Sequence, residues 1–222
     1  MRAFRAEGDE LVARVEPGER EVLATVVADV ADLLGAGRLE ERARSAAPGE
    51  DSAQHGGMRM RLRLDPLPTP GDPAVHRLLP DASRDDAEVA AEFRRLTEDD
   101  LRQQKIERLA ELFDLLTADA DATLMRVPRD RAPVLAATLT DVRLVLGERL
   151  GVSDEDASER LEGELVRAVT TSDDRAAQVR QYLGSVFLAL GWWQETLMAC
   201  LLAELDARSD TPERPERHGR PG

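Results

Sequence analysis

Residues 11–35 read Leu-Val-Ala-Arg-Val-Glu-Pro-Gly-Glu-Arg-Glu-Val-Leu-Ala-Thr-Val-Val-Ala-Asp-Val-Ala-Asp-Leu-Leu-Gly. The first five, Leu11 to Val15, are rich in branched apolar side chains and predict a short strand. Pro17 and Gly18 break it. From Glu21 to Leu34, Val22, Leu23, Val26, Val27, Val30, Leu33 and Leu34 recur at helical spacing, which predicts a helix with one buried face. Gly35 supplies a C-terminal stop.

This unit has an echo further along the chain. A shift of 112 positions without a gap places Arg14 and Val15 on Arg126 and Val127, and Val22-Leu23-Ala24 on Val134-Leu135-Ala136. It also places Asp29-Val30 on Asp141-Val142 and Leu34-Gly35 on Leu146-Gly147, nine identities in all. One reading is coincidence among common residues. The other is two strand–helix units related by a pseudo-twofold axis, with the strands at 11–15 and 122–127 pairing into a small sheet against the helices.

Helical spacing continues through 83–96. Thr97, with Asp100 three residues on, reads as a capping signal that opens a separate helix to about residue 116. Further helices are expected over 133–150, from Ser153 to about 170, and from Ser172 to about 207. Pro66, Pro68, Pro70, Pro73 and Pro80 are read as excluding a helix from 65–80. The expected fold is mainly α: a bundle of about five to six helices with a small two-stranded sheet. Residues 1–35 and 82–207 belong to a single domain, 36–81 form a flexible Pro/Gly-rich insertion, and 208–222 are a disordered tail.

Aromatic residues are 3% of the 222 and hydrophobic residues 42%, so the core rests on Leu, Val and Ala, as suits helix-on-helix packing. Thirty basic against forty-four acidic side chains give a net charge of -14. That balance disfavours direct nucleic-acid binding without a partner. The charged start of the chain predicts no signal peptide. The near-apolar run over 183–193 is about half the ~20 residues of a membrane span, so a cytoplasmic location is expected.

No catalytic, cofactor-binding or metal-ligating constellation is read. His55, His76 and His218 lie apart from metal-spaced carboxylates. Asp119 and Asp121 lack the rest of a calcium loop. The acidic clusters at 98–100, 154–156 and 173–174 fall in first turns, where the helix dipole favours them. Arg59, Arg61 and Arg63 line one side of the alternating stretch 58–64. They suit a basic ribbon for an acidic partner, or, the favoured reading, a charged edge that resists aggregation. The one cysteine, Cys200, lies on the stripe Val186, Leu190, Trp193, Leu197. A structural role is favoured over a redox one, and no intramolecular disulfide can form. Trp192 and Trp193 point about 100° apart on a helix, so at most one faces fully inward and the other is a candidate partner anchor.

Two segments carry a family resemblance. Residues 140–152 read Thr-Asp-Val-Arg-Leu-Val-Leu-Gly-Glu-Arg-Leu-Gly-Val, and 182–197 read Tyr-Leu-Gly-Ser-Val-Phe-Leu-Ala-Leu-Gly-Trp-Trp-Gln-Glu-Thr-Leu. With the N-terminal strand and helix, they resemble an actinobacterial domain-of-unknown-function family that includes the oxidative-stress regulator AosR. The resemblance implies a cytoplasmic, non-enzymatic transcription regulator acting with an RNA polymerase sigma factor, and sensing oxidants through two cysteines separated by three residues. This chain departs there: Arg5 and Asp9 have that separation but no thiol. The alternative is a redox-independent protein-interaction adaptor, in protein turnover for example. The chain is expected to be a monomer or a homodimer.

Overall fold

A computed structural model describes residues 1–37, 39, 71–83, 85–119, 123–167 and 174–209, with side chains described as far as residue 203. Three strands and six helices are found among these residues. Strand β1 (Arg5–Glu7) turns back into β2 (Glu10–Arg14), which pairs with β3 (Leu124–Pro128) in an antiparallel sheet of order β1-β2-β3. The expected pairing of the two strand regions is therefore observed, and β1 is an addition. Its hairpin turns at Gly8-Asp9, with Gly8 at φ +59° where a side chain would be strained.

Helix α1 (Pro17–Leu33) starts at the proline expected only to end the strand. Proline suits the first helical turn, because its missing N–H has no partner to lose there. Glu19 reaches back to accept the Glu16 amide at 2.9 Å. Gly35, at φ +84°, ends the helix as expected.

Two expectations are corrected. First, residues 73–78 form helix α2 (Pro73–Leu78) despite the surrounding prolines. Pro73 is again in the first turn, Asp72 accepts the Ala74 amide at 2.8 Å, and Ala74, Val75 and Leu78 are buried. Second, the two helices expected over 83–116 are one, α3 (Ala87–Thr117). Its cap is Asp86, which accepts from Glu88 and Val89 at 3.0 Å each. Thr97 does not cap: its hydroxyl donates to the Phe93 carbonyl at 2.9 Å within the helix.

A 3-10 turn (Arg129–Arg131) leads into α4 (Ala132–Leu150), which ends at Gly151 with φ +71°. Helix α5 (Glu155–Arg167) is capped by Asp154 on the Ala157 amide at 2.8 Å. Helix α6 (Arg175–Ser209) begins with Asp174 accepting from Ala176 at 3.1 Å. The expected starts at Ser153 and Ser172 thus fall within two to three residues of the helices.

The most extensive helix pairings are α1 with α3 and α4 with α6. Leu23, Val27, Leu109, Leu116, Leu139, Leu190, Trp193 and Leu197 fill the space between them, and Leu11, Ala13, Met125 and Val127 join from the sheet. The strand register agrees with the sequence echo. Ala13 pairs with Met125, its own counterpart under the 112-residue shift, and the pairs Val12–Arg126 and Arg14–Leu124 exchange under it. A pseudo-twofold axis therefore passes through Ala13 and Met125. It relates β2-α1 to β3-α4, and the helices packed on them, α3 and α6, correspond in turn. The correspondence ends near the helix C-termini, where Gly35 stops α1 but Gly147 is passed by α4.

Candidate interaction site

Helix α6 has two different apolar faces. Val186, Leu190, Trp193 and Leu197 point inward, and Trp193 is 0% exposed. Its ring stacks on Phe4, with centroids 4.8 Å apart and planes 25° from parallel. The Phe4 amide donates to Thr196 Oγ1 at 3.2 Å, and Cys200 Sγ donates to the Phe4 carbonyl at 3.4 Å. The first four residues are thus held between β2 and α6, and Cys200 is half-buried beneath them. Trp193 is a core residue, which removes it from the candidate partner surface. Trp192 is 44% exposed and shares an outward face with Glu195, Ala199 and Leu202, at spacings of three and four residues. Met198 flanks that face and is also exposed.

Residues 175–203 of α6 are long and apolar enough to cross a membrane by length and composition, their most apolar 18-residue stretch having a mean hydropathy of 1.4, beyond what the run over 183–193 suggests. Here the inner face of that helix packs into the bundle.

A groove of 160 Å³ runs between α3 and the β3-α4 unit. Leu112, Leu115, Val127, Val134 and Leu135 contribute apolar lining, and Arg108, Arg126 and Arg131 line it together with one acid, Glu111. Arg126 reaches Glu10 at 3.1 Å across the sheet, and Arg131 pairs with Glu111 at the surface. Arg108 reaches Asp141 at 3.1 Å, and the chain's single lysine, Lys105, meets the other Asp141 oxygen at 2.5 Å. Asp141 is 4% exposed. It thus ties α3 to α4 through two cations, so its negative charge is matched inside the bundle.

Other charged groups serve the scaffold. Arg20 is buried and donates to the carbonyls of Leu115, Leu116 and Leu124 at 3.1, 3.3 and 2.8 Å. It thereby covers the end of α3, which has no basic residue in its last turn. Burial raises the pKa of Glu19, but hydrogen bonds from the N-terminal ammonium and the Glu16 amide, with the charges of the ammonium and Arg2, outweigh it and leave a net lowering. Asp72 is lowered by its bond from Arg149 and then by the Ala74 amide. Asp154 is lowered by the Ala157 amide and then by the Ser153 hydroxyl.

Among the described residues no group of three His, Cys, Asp or Glu side chains is placed to hold a metal. His76 lies on α2, while His55, His218 and Asp121 fall outside the described residues, as do Arg59, Arg61 and Arg63. Sequence reasoning did not find Asp141, Arg131 or Phe4. Asp141 was visible as an acid on the otherwise apolar face of 133–150, a position that implies a buried cation partner. Arg131 had no local signal, because its groove is made by residues far away in sequence.

A family model described as a domain of unknown function, DUF2017, matches residues 1–201, and the chain belongs to that family. No curated protein and no solved structure matches it.

Proposed function

We propose that this member of the DUF2017 family is a non-enzymatic cytoplasmic regulator that acts by binding a protein partner through the outward face of α6. The observation that carries the reading is the two-sidedness of that helix. One face is used by the core, while Trp192, Met198 and Leu202 remain exposed at 44%, 40% and 55%. Trp is among the residues most enriched at the few positions that dominate interface energetics, and Met is enriched at interfaces. The resemblance to the family of the oxidative-stress regulator supports a partner in the transcription machinery, an RNA polymerase sigma factor. The net charge of -14 fits action through such a partner rather than direct contact with DNA.

The position of Cys200 favours a redox-independent mode of action. Its thiol lies under Phe4 and bonds a main-chain carbonyl, so peroxide and a second thiol have restricted access. The adaptor reading shares the same docking face and differs in the partner captured. Pull-down of a purified sigma factor by the intact chain, compared with Trp192→Ala and Leu202→Asp, tests the proposal. Capture lost in both variants, with unchanged circular dichroism, is expected. Capture unaffected by both would remove the α6 face, and failure to bind the sigma factor at all would move the assignment to an adaptor.

A further inference from the structure

The pseudo-twofold axis makes a demand that the α6 face does not. It relates the outer edge of β2 to the outer edge of β3. The first of these edges is occupied: β1 pairs with β2, and the Arg2 amide donates to the Arg14 carbonyl at 2.7 Å. Phe4 fills the apolar space beside that edge, against α6, and the N-terminal ammonium pairs with Glu19. The counterpart edge of β3 has no strand paired to it among the described residues.

The groove already described lies at that second edge, and the correspondence holds residue by residue. Arg14 and Val15 beside the bound N-terminal segment become Arg126 and Val127, both of which line the groove. Helix α6, which backs Phe4, becomes α3, which supplies Leu112 and Leu115. Strand parity agrees. The Val15 amide bonds Thr123 and the Arg129 amide bonds Asp9, at 2.9 and 3.1 Å, so odd-numbered positions of β3 face β2. Arg126 therefore turns its amide and carbonyl to the open edge, as Arg14 turns its carbonyl to Arg2. At one position the chemistry inverts: Glu19, which holds the ammonium, becomes Arg131.

We infer that the open edge of β3 and its groove take an extended segment of a partner protein, with an apolar side chain on Leu112, Leu115 and Val134 and a carboxylate on Arg131. The segment adds to the sheet as β1 does on the other side, its main-chain N–H donating to the Arg126 carbonyl. The surface pair between Arg131 and Glu111 does not oppose this. Both side chains are about half exposed, at 47% and 55%, so one carboxylate exchanges readily for another. Arg108 and Arg126 also line the groove, each already ion-paired, to Asp141 and to Glu10, so Arg131 is the cation offered to the segment. The acidity of the whole chain matters less, because charges more than about 8 Å away are screened at physiological salt.

The test uses the full chain and two labelled heptapeptides, acetylated and amidated at their ends. One is Glu-Val-Ala-Phe-Val-Ala-Glu, and the other has lysine for both glutamates. Fluorescence anisotropy should show binding of the acidic peptide in preference to the basic one. Arg131→Glu should weaken the acidic peptide roughly tenfold and abolish the preference. Hydrogen exchange gives an independent reading, with the Arg126 amide protected when the acidic peptide is present. Trp192→Ala should leave both results unchanged, which separates this site from the α6 face. Equal binding of the two peptides, no binding at about 1 mM, indifference to Arg131→Glu, or displacement by a short single-stranded oligonucleotide would each overturn the inference.

Discussion

Replacing Phe4 by alanine tests whether the first residues of the chain are part of the core. Phe4 is 5% exposed and stacked on the buried ring of Trp193. Removing a buried phenylalanine costs about 3–5 kcal/mol. Phe4 lies at the edge of the core, where water can enter the space left behind, so the low end, about 3 kcal/mol, is the expected value. For a chain of this size the urea dependence of stability is about 3 kcal/mol per molar, so the unfolding midpoint should fall by about 1 M. The same substitution should uncover Cys200, whose Sγ bonds the Phe4 carbonyl. Urea titration followed by tryptophan fluorescence reads the first effect, and the rate of thiol labelling in native buffer reads the second. A midpoint shift below about 0.3 M, with no faster labelling, would refute the reasoning: the N-terminal segment would then contribute nothing to the core or to shielding the thiol.

Two further predictions concern charge. Asp141→Asn leaves Lys105 and Arg108 without their buried counter-charge and should cost about 3–5 kcal/mol in urea unfolding. Adding Lys105→Met should recover part of that loss, and a double variant no more stable than the single one would argue against the pairing. The lowered pKa of Glu19 means that its ionised form is favoured by folding. Its contribution is therefore present above its unfolded pKa and lost as pH falls through the lower folded value. Asp72 and Asp154 act with the same sign. In Glu19→Gln the decline in stability between about pH 5 and pH 2 should be shallower than in the wild type. Parallel curves would show that Glu19 is not ion-paired in solution.

Much of the fold was legible because it depends on local pattern. The apolar periodicity of 21–34 and 133–150 specifies helices wherever it occurs, and Gly35 and Gly151 mark their ends through backbone conformations that other residues resist. The 112-residue echo even contained the register of the sheet. Local signals misled where they were ambiguous. Proline opens helices as well as ending strands, as at Pro17 and Pro73. The Thr97 hydroxyl has two available partners, an amide at a helix start or a carbonyl one turn back, and within the continuous helix α3 it takes the second.

What the sequence by itself determined is a helical bundle built on two strand–helix units, a leucine- and valine-rich core, and a single cysteine, which excludes an intramolecular disulfide. These follow from composition, period and count, which no folding can change. Tertiary structure alone decided which tryptophan is buried, that Phe4 covers Cys200, that Lys105 and Arg108 converge on Asp141, and that three arginines meet at the open edge of β3. Each of these joins residues distant in the chain. Side-chain exposure and charge pairing depend on what other elements bring to the same place, and spacing along one element does not contain that information.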